Sequence, residues 1–173
     1  MTNNYTSNQS EQFKDKIIIV TGSTQGSGAE TAKLLASRGA RGITICGRNE
    51  NKGNKVKDEI SKIGSECIYV KADLENLNDC KKIISETDKK FKTIDSFINV
   101  AALTERGTIL STTEENYDKN FNVNVKAPLF MMQDVIKIMI RDKKKGTIAH
   151  ILSMAAYSGM PFLTAYSASK AAL

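Results

Sequence analysis

Three polar side chains near the end of this 173-residue chain could between them move a proton. Ser153 offers a hydroxyl, Tyr166 a phenol and Lys170 an amine. Tyr166 and Lys170 are four residues apart, so a helix beginning at Tyr166 places both on one face. A positive charge beside a phenol favours the phenolate, which makes the two a workable acid/base pair. Such a pair has a reaction only if the rest of the chain binds something that reacts.

A second constellation supplies a binder. Thr21-Gly22-Ser23-Thr24-Gln25-Gly26-Ser27-Gly28 follows a β-branched run, Ile17 to Val20, and precedes a helical stretch from Ala29 to Arg38 that Gly39 ends. The spacing is GxxxGxG, not the commoner GxGxxG. Glycines between strand and helix let the backbone approach a diphosphate, and the helix N-terminus offers free N–H groups and a positive dipole end. A bare tight turn would use the same glycines. The buried strand before them and the helix after them favour the phosphate.

The remaining elements must position these groups. Ile43 to Cys46 reads as a second strand ending in Gly47-Arg48-Asn49. In a dinucleotide fold this strand end meets the adenosine ribose, where an acid would bind a free 2′-hydroxyl. Gly47 holds that place and Arg48 follows, and a guanidinium suits a 2′-phosphate. NADP is therefore expected over NAD, with a plain surface arginine as the alternative. A polar helix, Asn51 to Ile63, turns Val56, Ile60 and Ile63 inward. Cys67 to Val70 is a third strand, and Asp73 beyond it either touches the adenine amino group or caps the helix Leu77 to Phe91. Ile94 to Ile98 is a fourth strand leading into Asn99-Val100-Ala101-Ala102. One long helix spans Thr113 to Arg141, with Leu129, Met132, Ile136, Met139 and Ile140 as its core stripe. Pro128 cannot donate to the carbonyl of Asn124, which predicts a kink and a freed carbonyl there. Thr147 to Leu152 is a fifth strand with Ser153 at its end. Ligands of open parallel sheets bind beyond the carboxyl ends of the strands, so the glycine turn, Arg48, Asp73, Asn99 and Ser153 face one edge.

Composition removes other classes. Hydrophobic residues make up 40% and charged residues 25%, as in ordinary soluble domains. No apolar run approaches the roughly 20 residues of a membrane span. Cys46, Cys67 and Cys80 form no CxxC pair and read as reduced thiols, which suggests the cytoplasm. His150 is the single histidine, leaving no material for a histidine-rich metal site; it reads as a strand residue. The net charge of +6 comes from scattered lysines with one short run, Lys143 to Lys145, at a helix end, so no nucleic-acid partner is expected. Residues 1–12, rich in Asn, Ser and Thr, are expected to be a disordered leader, and 13–173 one dinucleotide-binding domain.

From about Lys14 to Leu173 the chain resembles the short-chain dehydrogenase/reductase family. The resemblance rests on the glycine turn, Asp73, the Asn99 segment, Asn124, Ser153 and Tyr166-x-x-x-Lys170. Ser153 precedes Tyr166 by thirteen positions. It implies an α/β fold, a Rossmann-like doubly wound parallel sheet with helices on both faces, five of the usual seven strands being present. It also implies hydride transfer between NADP(H) and an alcohol or carbonyl substrate by a tetrad. Tyr166 would be the general acid/base and Ser153 would bind the substrate oxygen. Lys170 would support the phenolate and hold the nicotinamide ribose, and the Asn124 main-chain carbonyl would hold a relay water. The cofactor would lie on Gly22, Ser23, Thr24, Gly26, Ser27, Gly28, Arg48, Asp73, Asn99, Tyr166 and Lys170.

Three residues depart from the family pattern. Ala102 replaces a glycine, so a local shift is expected; Ser27 replaces an isoleucine, and His150 an asparagine. Family members also continue past Lys170. The Tyr166 helix is therefore expected to be short and in need of packing, and the Ser153 strand to be an exposed edge. Full-length members form homo-oligomers, an assembly the resemblance does not carry over to this chain. The alternative expectation is an inactive truncated fragment that at most binds dinucleotide or a protein partner.

Overall fold

Four consecutive β-branched residues, Ile17 to Val20, offer no polar alternate, so they fit only where both strand faces are covered. In the computed structural model, which describes residues 11–173, they form β1 (Ile17–Thr21) with every residue buried. Burying each isoleucine contributes roughly 1.5–3 kcal/mol. β1 is the middle of a five-stranded, all-parallel sheet of order β3-β2-β1-β4-β5, with β2 Gly42–Gly47, β3 Glu66–Lys71, β4 Ser96–Asn99 and β5 Thr147–His150. The order runs outward from β1 to β3 and then returns to β4, so the reversal falls between β1 and β4. That is where open α/β sheets hold their ligands.

Parallel neighbours need crossover helices, and these cover both faces. Ile18, Val20, Ile43 and Ile45 meet α1 (Gly26–Ser37) and α2 (Glu50–Ile63) through Ala32, Leu35, Val56 and Ile60. Ile19, Cys46 and Phe97 on the other face meet α3 (Leu77–Phe91) and α5 (Ala127–Arg141) through Cys80, Ile83, Met131 and Val135. The fold is thus the doubly wound α/β sheet expected. Of the expected leader, residues 1–10 lie outside the described residues. The Glu11 carboxylate binds Lys14 at 2.9 Å, and the Gln12 amide oxygen accepts from Arg38 at 3.1 Å. No helix of the described residues is long and apolar enough to cross a membrane.

Several boundaries differ from the sequence reading, some of them in ways that matter for the site. α1 begins at Gly26, not Ala29, so the glycine turn itself forms the first helical turn. β5 ends at His150, and Ile151 and Leu152 beyond it are exposed. β4 starts at Ser96, and Asp95 just before it has a buried carboxylate that accepts from the Ile17 N–H at 2.9 Å and from Lys144 at 3.3 Å.

The expected single helix from Thr113 is three pieces: α4 (Glu114–Phe121), a π-helical turn Asn122–Lys126, and α5. Pro128 has no N–H, so the chain widens, and the Ala127 N–H reaches back to the Asn122 carbonyl. A π turn adds one residue to the helical phase. The core stripe of α5 is accordingly Met131, Val135 and Met139. Of the expected stripe, Leu129, Ile136 and Ile140 are exposed and Met132 is only partly buried.

Met131→Ala should therefore cost about 2–5 kcal/mol in urea denaturation. Ile140→Lys should stay within about 0.5 kcal/mol of the parent chain. A larger loss for Ile140→Lys than for Met131→Ala would reinstate the other face.

Candidate active site

Thr21 ends β1, and Gly22 turns the chain at φ 63. A Cβ at Gly22 would stand 2.7 Å from Ala101 Cα and 2.9 Å from its nitrogen. Glycine is required there because the loops leaving β1 and β4 nearly touch. The next turn opens α1, whose N-cap Gln25 makes no side-chain cap, so the first N–H groups of the helix keep no internal acceptor. Gly26, at φ 57, has open space where a side chain would stand. Together they floor a cleft of ≈ 660 Å³. Gly22, Thr24, Gly26, Ser27 and Gly28 line one wall, Gly47, Arg48 and Lys52 the rim, and Asp73, Ala101 and Leu103 the opposite side. A bare backbone cradle with free N–H donors and a guanidinium at its mouth fits a dinucleotide diphosphate.

Arg48 is exposed, and its guanidinium stands 3.9 Å from the Asp73 carboxylate. Asp73 does not cap α3. Asn76 does, accepting from the Asn78 N–H at 2.8 Å, while Asp73 accepts from the Glu75 N–H at 3.1 Å. A side chain at Gly47 would run into Thr24, whose Cγ2 lies 2.7 Å from the Cβ position. An acid is therefore excluded at the position where one would bind a ribose 2′-hydroxyl, unless Thr24 moves.

Two of the expected cofactor residues are spent inside the fold instead of facing the cleft. Ser23 is buried: its hydroxyl donates to the Val20 carbonyl at 2.5 Å and accepts from the Cys46 N–H at 3.0 Å. It stitches β1 to β2. Asn99 is 1% exposed, and its Oδ1 accepts from the Thr21 hydroxyl at 2.7 Å. That hydroxyl in turn accepts from the Ala101 N–H at 3.2 Å, so Asn99 fixes the turn that Gly22 faces. Ala102 is not among the residues with positive φ, so the backbone takes an ordinary conformation where a glycine was expected.

The residues expected to handle the proton all follow β5 in the chain. Ser153 caps a 3₁₀ turn, Met154–Ala156, accepting from the Ala155 N–H at 3.2 Å. Tyr166 and Lys170 lie one turn apart on α6 (Thr164–Ala172). Lys170 is buried, its ammonium donates to the Ile151 carbonyl at 2.9 Å, and burial pushes its pKa down from 10.5. None of the three lines the cleft volume; the link runs through Asn124. The Asn124 side chain is fully buried. Its Oδ1 accepts from the Leu103 N–H at 2.8 Å, and its Nδ2 donates to the Leu103 carbonyl at 2.9 Å and the Ser169 hydroxyl at 2.9 Å. Ser169 donates onward to the Tyr166 carbonyl at 2.7 Å. The short α6 thus has the packing it needs. The sequence reading found Asn124 through its main-chain carbonyl and missed this side-chain role; a polar residue four positions before a helical proline was the available signal.

His150 is a β5 residue, paired in register with Asn99 and set edge-on to Phe97 with ring centroids 6.1 Å apart. Its Nδ1 is buried without a partner. Burial, and then the charge of Lys170, lower its pKa from 6.5.

Residues 16–173 match the family described as short chain dehydrogenase. Over 161 residues the chain is 32% identical to an uncharacterized oxidoreductase of Thermotoga maritima, covering 93% of this chain and 62% of that one. It is 31% identical to galactitol 2-dehydrogenase of Agrobacterium fabrum, covering 94% and 62%. The chain therefore spans about three fifths of the length of these curated relatives. A solved short chain dehydrogenase from Mycobacterium smegmatis shares the fold with a TM-score of 0.87 at 22% identity, over 92% of this chain and 67% of that one.

Asn124→Ala strands both polar groups of Leu103, so it should cost roughly 3 kcal/mol or more in chemical denaturation. A loss under about 1 kcal/mol would remove Asn124 from its place as a tether. His150 predicts a pH dependence. Its folded pKa lies below the unfolded 6.5, so the unfolded chain binds more protons in the window between them. The stability it contributes is whole above pH 6.5 and is lost as pH falls toward the folded value. Wild type should lose stability relative to His150→Gln on acidification through that window, and a pH-independent difference would refute the assignment.

Proposed function

The chain belongs to the short chain dehydrogenase family, and from that premise we propose that it transfers a hydride between NADP(H) and an alcohol or carbonyl group. The observation that carries this is the Tyr166–Lys170 turn of α6, held by Asn124 against Leu103 in the wall of a dinucleotide-sized cleft. The dinucleotide, when bound, supplies the hydride. Gly22, Thr24, Gly26, Ser27 and Gly28 would cradle its diphosphate, Arg48 its 2′-phosphate and Asp73 its adenine amino group. Ser23 and Asn99 act from behind, by fixing the backbone that makes the cradle.

Tyr166 would give its phenolic proton to the substrate oxygen in reduction and take it back in oxidation. Ser153 would hydrogen-bond that oxygen as charge develops on it. Lys170 keeps a positive charge one turn from the phenol, and on leaving the Ile151 carbonyl it would reach the nicotinamide ribose hydroxyls. The carbonyl of Asn124 lies four residues before Pro128, which has no N–H to donate to it; it would hold the relay water. NADP is preferred over NAD in this reading because Gly47 leaves no acid and Arg48 adds a cation.

The substrate would be a small alcohol or carbonyl compound. The exposed apolar face of α5 would suit a second copy, and the three free, buried cysteines suit a reducing compartment such as the cytoplasm. A second reading, binding of dinucleotide without turnover, is favoured by one observation: Ile151 and Leu152, beside the Lys170 contact, stand exposed at the sheet edge.

Tyr166→Phe should lower NADPH-dependent carbonyl reduction at least about a hundredfold while NADPH binding stays within about twofold. Turnover that survives the substitution would sink the role of Tyr166. Binding without turnover in the unsubstituted chain would favour the second reading.

A further inference from the structure

Lys52 stands in the cleft rim with no role in the chemistry so far. We propose that Lys52 is a second cation for the phosphomonoester on the adenosine ribose, acting with Arg48 and held ready by Gln25. The proposal rests on the NADP reading and adds to it a residue that sets cofactor choice.

Its position is fixed by the fold. Lys52 is the third residue of α2, and its N–H donates to the capping Asn49 side chain at 3.0 Å. Arg48 and Lys52 therefore flank the start of one helix, both in the cleft lining. This is a poor place for a cation, because the helix N-terminus is itself positive and Arg48 is a like charge nearby. The local acids do not relieve it. Glu50 pairs with Lys71 at 3.5 Å, and Asp73 pairs with Arg48 at 3.9 Å. By contrast, Lys33, between the same two helices, has the carboxylates of both Glu30 and Glu59.

What Lys52 has is a neutral partner: its ammonium donates to Gln25 Oε1 at 2.6 Å. Gln25 is the N-cap position of α1, beside the glycine turn. The bond orients the charge across the gap between the diphosphate cradle and the ribose end without cancelling it. A dianionic phosphomonoester placed there would meet Arg48, Lys52 and the α2 N-terminus together. A ribose hydroxyl would leave the charge of Lys52 unmatched.

Calorimetric titration of the 173-residue chain with 2′,5′-ADP and with 5′-AMP tests this. Wild type should bind 2′,5′-ADP more tightly. Lys52→Gln should weaken 2′,5′-ADP roughly tenfold, the scale of one charge-assisted hydrogen bond, and leave 5′-AMP within about twofold. Lys52→Arg should restore most of the loss. Gln25→Leu should weaken 2′,5′-ADP alone, by about twofold to threefold, through lost preorganisation; no loss would overturn the part given to Gln25. If wild type discriminates and Lys52→Gln discriminates equally, the role of Lys52 falls while the NADP reading stands. If wild type shows no preference, the NADP reading falls and takes this proposal with it.

Discussion

The carboxamide of Asn124 is the interaction the site depends on. It is fully buried and makes three hydrogen bonds, two to Leu103 and one to Ser169. Inside a protein each unmade bond of this kind costs more than the made bond contributes, so the set acts as a unit. It joins three segments far apart in sequence: the loop after β4, the π turn and α6. The wall of the cleft and the helix carrying Tyr166 and Lys170 are thereby one rigid piece. The π turn is what brings the amide inward, and Pro128, by removing one N–H, is what makes the wider turn acceptable.

The two ends of the site use charge differently. At the glycine end the ionic groups are exposed and loosely matched; Arg48 and Asp73 are 3.9 Å apart and screened by water. At the α6 end Lys170 is buried, held by a neutral carbonyl, and burial depresses its pKa. Its charge also reaches His150, whose pKa burial already lowers. The first arrangement suits a ligand that brings its own charge. The second suits a proton transfer, where a field acts most strongly in a poorly solvated place.

The sheet was legible because buried parallel strands leave little choice of residue: the β-branched run at 17–20 and the Ile-Thr-Ile-Cys run at 43–46 became β1 and β2, and α3 has the expected bounds. The phase of α5 was not legible. Two apolar stripes one residue apart compete in 127–141, and the π turn decides between them. Ser23 and Asn99 were placed in the right loops, but their bonds to the neighbouring strands were not legible, because a small polar side chain reads alike whether it faces a ligand or a neighbouring strand. Arg48 was legible as a strand-end cation, yet its partner Asp73 was not, since their meeting depends on where β2 and β3 stop.

The contact between Gly47 and Thr24 bears on how this chain could diverge. The Cβ of any residue at 47 would crowd the Thr24 side chain, at 2.7 Å from its Cγ2 and 2.8 Å from its Oγ1. An aspartate at 47 would require Thr24 to adjust. The threonine has to rotate away or a smaller residue has to stand at 24, so a side chain at 47 asks for an adjustment at 24. The residues acceptable at 47 are thus coupled to the side-chain position at 24.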